Sequence, residues 1–464
     1  MYVTIVRVAV LLVLLLPFMM LLVGPWPVYR DTQYEEQSYF QDALNTIEQQ
    51  ASKPRVCRPL YAGWATHDMT PEIGTPMAGH VDRSNRKRST GIHAPLYVKA
   101  LALGDGDKTV VIVSADILHT LPNLIERIAE RVATKIPVTG DMLHYHATHT
   151  HCGPGGFVPG LLNGFVYGAY DVRHLDSLAD VFVLAIVDAY NNMMPARFAH
   201  GQVEAQYYII NRVRIAGTDP VLHYAVFENE ALERCIVMRY SAHATIFSAE
   251  MLEFSPDYPG VMQREVEAST NATAIFLAGA TGSMAPRWVD PMPLDEAVQF
   301  VGSGLANLLI PEVSGDLCFA DEAIMSSMTA TFETPPLQIR PRSPNWRVSP
   351  VLTRLAGLKP QGRLQALRIN DMLLVGFPYE VSGETSMEWQ EWARRDDVTL
   401  WVTSNSGAFL GYLSPDRYYN DMDETGRLPY ETGIMGWTGP HTEAYITRLL
   451  QHAYGQLMQG SPQQ

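Results

Sequence analysis

Residues 144–157, HYHATHTHCGPGGF, place four histidines within eight positions and then break into a glycine-proline turn. Imidazole binds metal through a neutral nitrogen and changes charge near neutral pH, so this density suits a metal centre or proton transfer. Residues two apart in a strand face the same side, which is expected to turn His149 and His151 into one cavity. Gly153-Pro154-Gly155-Gly156 beside them is backbone that lets a substrate come close. His144 and His146 fall in the preceding strand and read as structural side chains. A catalytic zinc needs N and O ligands from separated segments and one position left open for water. Two histidines alone do not supply that. Further donors are sought at the ends of strand-like runs, where α/β proteins collect their chemistry: His243 after MRYSA, Glu380 after LLVGFPY and Tyr412 after WVTSNSGAFLG.

The elements that must position these residues alternate in type. TVVIVSA (109–115), NLIERIAERVATKI (123–136) and DMLHYHA (141–147) read as strand, helix, strand. HLDSLADVFVLAIVDAY (174–190) puts Leu175, Leu178, Phe182, Ala185 and Ala189 on one helical stripe. Further short strands are expected at HYAVF, CIVMRY, TAIFLA, LQALRI, MLLVGF and TLWVTS, and TEAYITRLLQHAYGQL closes the chain as a helix. The fold class is α/β, with layered mixed β-sheets flanked by helices and no internal repeat. The proline-rich stretch 335–350 reads as a long surface loop within one catalytic domain.

Composition narrows the function. A chain of 464 residues, 47% hydrophobic, has a core large enough for an enzyme, and its net charge of −15 excludes nucleic acid as a partner. The one basic run, RSNRKR at 83–88, is short and reads as a solvated loop. Cys57, Cys152, Cys235 and Cys318 are scattered without a CxxC pair, so they indicate neither a zinc knuckle nor a disulfide framework. Cys152, inside the histidine motif, reads as a small residue in a tight loop. No GxSxG elbow marks a serine hydrolase of the α/β type.

Residues 8–29 carry no charge, enough helix to cross an apolar layer of about 30 Å. Arg7 precedes the run, while Asp31, Glu35 and Glu36 follow it, with Arg30 opposing. This bias points the N-terminus into the cytoplasm. Residues 1–30 are therefore expected to be an uncleaved transmembrane anchor. A cleaved signal peptide is the alternative, against which stands the absence of a small-x-small cleavage site. Residues 31–56, with Tyr34, Phe40, Leu44 and Ile47 spaced along a helix, read as a stalk, and 57–464 as a hydrolase domain outside the cytoplasm, periplasmic or extracellular.

The motifs together resemble the neutral/alkaline (non-lysosomal) ceramidase family, catalytic domain only. Its THTHSGPGG signature is similar to Thr148-His149-Thr150-His151-Cys152-Gly153-Pro154-Gly155-Gly156. THDMTPEIGTPMAGH (66–80) resembles the family's opening segment, VIVSADIL its first long strand, SAHAT (241–245) the segment with the second zinc histidine, and FPYE its PGE element. YETGIMGWTGPHT (430–442) resembles its closing YE…GPHT. The resemblance implies zinc held by His149, His243, Glu380 and Tyr412, with His151 as the active-site histidine and Arg212 as a substrate-contacting arginine. It implies hydrolysis of an amide bond in an N-acyl lipid such as ceramide. His151 would carry the proton, and Arg212 or a backbone N–H of the glycine-rich loop would hold the oxyanion. One element departs: the family's GDVSP reads Gly282-Ser283-Met284-Ala285-Pro286, so its serine falls on Ala285 and Ser283 is the nearest hydroxyl to take that part. The competing readings are a family member that binds a lipid or partner without turnover, and a metal hydrolase of another bond such as an ester.

Overall fold

The computed structural model describes Arg7, Val13 and residues 15–29, 33–51, 56–81, 83, 88–160, 163–289, 291–341, 343–355 and 357–458. A nine-stranded sheet takes in β1 (Arg58–Asp68), β2 (Tyr97–Gly104), β3 (Thr109–Ala115), β4 (Leu143–Ala147), β5 (Met194–Glu204), β6 (Val221–Asn229), β7 (Arg234–Tyr240) and β8 (Thr273–Ala278). Their spatial order is β8-β7-β6-β5-β1-β2-β3-β4, and Glu322–Ala323 pairs with β1 as the ninth strand. A second sheet runs β9 (Met325–Glu333), β10 (Gln361–Ile369), β11 (Met372–Gly376) and β12 (Thr399–Thr403). The helices that matter are α1 (Ser38–Gln50), α2 (Pro122–Val132), α3 (Val172–Asn191), α4 (Asp257–Thr270), α5 (Leu294–Ser314), α6 (Gly383–Arg394) and α7 (Thr442–Met458).

The layers run helix, sheet, sheet, helix, as the apolar pattern of the strands requires. Along β3, Val111, Val113 and Ala115 join the cluster that meets α2, α3, α4 and α5, while Val110 and Ile112 join the one shared with Leu367, Leu374 and Trp401 of the second sheet. A strand covered on both faces is apolar at nearly every position, which is why TVVIVSA reads as a continuous run. The other face of the second sheet is closed by α1, α6 and α7. α2 begins with Pro122 at its first turn, where a missing N–H costs nothing, and buries Leu124, Ile125, Ile128 and Val132. α3 is capped by the Asp171 carboxylate, which accepts from Arg173 N at 2.9 Å.

Most strands pair antiparallel, but β3–β4, β7–β8 and β11–β12 are parallel, each joined through a helix (α2, α4 and α6). The two ends of the large sheet are drawn together by side chains: Lys99 Nζ donates to Ala274 O at 2.8 Å and Ser114 Oγ to Phe276 O at 2.6 Å, from β2 and β3 across to β8. The sheet therefore curls, and the loops that leave β3, β4, β7 and β8 meet.

Three expectations change. The segment read as a stalk is part of the core: Tyr34, Phe40, Ala43 and Ile47 are buried, and the Tyr34 ring stands 5.6 Å from that of Tyr445 in α7. Its apolar stripe was a packing face for the second sheet. The proline-rich stretch is a loop but not a surface one throughout, since Gln338 and Arg340 are buried and Arg340 Nη2 donates to Thr432 O at 3.0 Å. Arg83, read as solvated, is buried with its guanidinium on Ala78 O and His151 O, whereas Arg88 is exposed and residues 84–87 lie outside those described.

Of the uncharged N-terminal run, residues 8–12 and 14 lie outside the described residues, and 15–22 are helical with most side chains exposed. No helix among the described residues is long and apolar enough to cross a membrane. Trp26–Pro27 pairs antiparallel with Trp346–Arg347, which ties the end of the run to the loop 335–350. All four cysteines are free.

If α1 is part of the core, Phe40→Ala should lower unfolding free energy by about 3 to 5 kcal/mol in urea titrations of the full chain. A stalk residue would give no measurable change.

Candidate metal centre

The chain leaves each parallel pair in one direction, so six loops open at the same end of the molecule. After β3 comes His119, after β4 His149 and His151, after β7 His243, after β8 Thr281 to Ser283, after β11 Glu380, and after β12 Asn405 and Tyr412. This is where parallel strands of α/β proteins present their chemistry. His149 is not in a strand: β4 ends at Ala147 and His149 has φ +63°, a left-handed conformation that reverses the loop. It shares a cavity with His151 because the chain turns, not because strand residues alternate. Gly79 is required beside it, since a Cβ there would lie 2.7 Å from His151 O.

The three imidazoles converge. His149 Nε2 is 3.0 Å from His243 Nε2, which is 3.1 Å from His151 Nε2. Glu380 Oε1 lies 3.4 Å from His149 Nε2. His149, His243 and Glu380 are buried, while His151 is half-buried and marks the open side. Each inner ring is held from behind: His149 Nδ1 is 2.8 Å from Leu118 O and 3.1 Å from the Asn405 amide, and His243 Nδ1 is 3.2 Å from Thr281 O. Glu380 and Tyr412 are register partners in a short parallel ladder, so their side chains stand side by side. Arg212 Nη2 donates to Tyr412 Oη at 2.9 Å and to Gly282 O at 3.1 Å.

These donors fit a cation. A carbonyl oxygen at Nδ1 fixes the ring proton there, so the Nε2 atoms of His149 and His243 present lone pairs to each other at 3.0 Å. Two lone pairs at that range repel unless something positive lies between them. Burial first, then Arg212 and the other imidazoles, holds His243 well below its usual pKa, and burial with His149, His243 and His80 does the same for His151. A buried carboxylate among these rings is a negative charge that a divalent ion would offset. Glu380 Oε2, His119 Nε2 and His151 Nδ1 have no hydrogen-bond partner among the described residues. Nitrogen and oxygen donors about 3.3 Å apart are what tetrahedral zinc with bonds of about 2.0 to 2.1 Å requires.

The structure brings together His149, His151, His243, Glu380, Tyr412 and Arg212, but not the side chain of Ser283. That hydroxyl is buried, donates to Glu384 Oε2 at 2.5 Å and accepts from Gly383 N at 3.0 Å, so it is committed away from the imidazoles. The glycine-rich turn is also corrected. Residues 153–156 are buried, and the Gly155 and Gly156 amides already donate to Pro76 O and Tyr167 O. These glycines make room for protein, since a Cβ on Gly155 would lie 2.2 Å from Tyr167 O. Arg212 remains as the polar group facing the open side. His119 was missed; its only signal in sequence is its place shortly after a strand.

Residues 61–271 match the family described as neutral/alkaline non-lysosomal ceramidase, N-terminal. Over 128 residues the chain is 27% identical to a neutral ceramidase of Mycobacterium tuberculosis (strain ATCC 25618 / H37Rv), a stretch covering 25% of this chain and 20% of that relative. The match thus spans about a fifth of the curated relative's length. A neutral ceramidase from Pseudomonas aeruginosa superposes with a TM-score of 0.72 at 19% identity, over 86% of this chain and 75% of that one. A ceramidase complexed with C2 gives 0.69 at 18% identity, over 85% and 75%. The two structural likenesses establish the fold, and the resemblance to the neutral/alkaline ceramidase family is borne out.

The placement of Ser283 is testable through Glu384. Burial alone would raise that carboxyl, but hydrogen bonds from Ser283, Ser382 and Asn211 hold it below its usual 4.5. A lowered carboxyl contributes stability that is complete above about pH 4.5 and is lost as pH falls through the folded-state pKa. Glu384→Gln should therefore flatten the acid side of the stability–pH curve in urea unfolding between pH 7 and pH 3. Equal losses on acidification in variant and wild type would remove Glu384 from this role. Ser283→Ala should cost about 1 to 3 kcal/mol at pH 7.

Proposed function

We propose that this chain is a zinc-dependent amidohydrolase of N-acyl lipids, ceramide-like in substrate class, with zinc held by His149, His243, Glu380 and Tyr412. The observation that carries it is the convergence of inward-facing imidazole nitrogens on a buried carboxylate, in the order that the family motifs lead one to expect. Zinc supplies Lewis acidity, which polarises a carbonyl and lowers the pKa of water to about 7. The protein's own residues do the rest. His151, half-buried and neutral, accepts a proton from water and returns it to the leaving amine. Arg212, pinned by Tyr412 Oη and Gly282 O, directs positive charge to the side where the carbonyl oxygen becomes negative. Exposed Ile215, Tyr430 and Ile434 lie on the segments that carry Arg212 and border Tyr412, which supports an apolar substrate.

Two further parts of the proposal concern place. Residues 1–30 anchor the chain, and the domain that follows works outside the cytoplasm, periplasmic or extracellular, beside its lipid. The uncharged run at 8–29 and the exposed Leu15, Leu16, Phe18 and Leu21 support this. Deleting residues 1–30 should move the chain from the membrane to the soluble fraction; unchanged partition would exclude an anchor. Ala285 at the position of the family serine supports a second reading, a member that binds lipid without turnover.

The full chain should carry about one equivalent of zinc and release fatty acid from N-acyl lipid amides. His151→Ala should lower turnover by about 10²-fold or more while Ser283→Ala retains it. Protein that stays metal-free when zinc is supplied would overturn the metal centre. Zinc binding with no hydrolysis across amides and esters would favour the non-catalytic reading.

A further inference from the structure

His119 lies beside the one carboxylate of the centre, yet none of the sequence motifs singles it out. Its ring is buried, stacked on Phe409 with centroids 4.1 Å apart and planes at 16°, and its centroid is 5.2 Å from that of His149. One nitrogen is engaged: Nδ1 lies 2.5 Å from Tyr167 Oη. The other has no hydrogen-bond partner among the described residues and faces Glu380 Oε1 at 3.9 Å.

Proton placement decides what that nitrogen can do. Tyr167 is buried, its phenol is held protonated by burial and by Glu380, and His119 Nδ1 is its side chain's hydrogen-bond partner among the described residues. The phenol therefore donates and Nδ1 accepts. A neutral imidazole carries a single proton, and with Nδ1 accepting from Tyr167 that proton sits on Nε2. His119 Nε2 also lies within ligand range of the atoms of His149 and Glu380 that would share an ion. Ligation needs a bare Nε2, which would put the ring proton on Nδ1 and leave the buried Tyr167 proton without an acceptor. The donor form strands neither proton.

We infer that His119 is a positioning residue: backed by Tyr167, its Nε2–H faces the Glu380 carboxylate and holds it turned toward the metal centre. At 3.9 Å the hold is electrostatic, and it becomes a hydrogen bond when the carboxylate rotates toward it. The inference rests on the metal-centre reading above.

Zinc affinity of the full chain, measured by competition with a chelating chromophore, tests it together with stoichiometry and the visible spectrum of the cobalt(II) form. Partners behind a metal ligand are worth about 10- to 100-fold in affinity. His119→Leu should weaken zinc binding by that factor, and His119→Gln, which keeps a donor amide, should restore it to within about threefold with an unchanged cobalt spectrum. Tyr167→Phe should weaken binding in the same direction. The melting temperature of each metal-free variant checks that the fold is kept. If wild type binds zinc and His119→Leu binds it equally well, the positioning role fails and the metal centre stands. If wild type takes two equivalents, or His119→Gln also loses affinity with an altered cobalt spectrum, His119 is a ligand and the inference is overturned. Wild type without zinc affinity sinks the underlying reading instead.

Discussion

Imidazole nitrogens that face one another inside a protein repel, and the arrangement around His149 and His243 depends on holding them there. Each ring is fixed by an oxygen behind it, from Leu118 for one and Thr281 for the other. Those carbonyls belong to loops, so the loops must themselves be rigid. Leu118 follows β3 and Thr281 follows β8, two strands that Ser114 ties together through Phe276 O. The backbone of the large sheet is thus the last link in a chain of supports that begins at a pair of lone pairs.

Parallel pairing explains why the supports are available. An antiparallel neighbour closes a strand end with a turn, whereas a parallel neighbour requires the chain to leave, cross as a helix and return. The three crossovers through α2, α4 and α6 keep the exits of β3, β7 and β11 and of their partners open on one side. Residues more than 250 positions apart, such as His149 and Asn405 at |i−j| of 256, then become neighbours. A buried Arg239–Asp219 pair at 2.7 Å, joined by Ser241 and Ser386, holds α6 against β7 near the exit that leads to His243. Charges with no solvent access are tolerated when paired and hydrogen-bonded, as Asp219 is by Arg239, Ser241 and Ser386.

Much of this is legible in sequence, and the failures share a cause. Runs such as TVVIVSA and TAIFLA match β3 and β8 residue for residue, because strands covered on both faces leave an unbroken apolar signal. The stripe of α3 is legible because one face of the helix is covered and the other is not. Periodicity says that a face is covered but not by what, which is how α1 came to read as a stalk. The ordered motifs locate His149, His243, Glu380 and Tyr412. His119 has no spacing signature and gains meaning only when β3 lies beside β4. Ser283 and Arg83 are cases of direction: residue type shows that a hydroxyl or guanidinium is present, and only packing shows that Glu384 or His151 O has already engaged it.

The donors of the centre come from both sheets, His149 and His243 from the large one, Glu380 and Tyr412 from loops of the small one. A cation bound there would therefore be a rivet through the seam between two halves that also meet by apolar contact around Trp401 and Leu374 and by hydrogen bonds such as Gln365 Nε2 to Leu143 O at 2.7 Å. Its affinity and the cohesion of the halves are one linked quantity, since whatever parts the sheets releases the ion and whatever binds the ion resists parting. Without such an ion the seam would lose one of its ties, and the loops after β11 and β12 would open ahead of the strands.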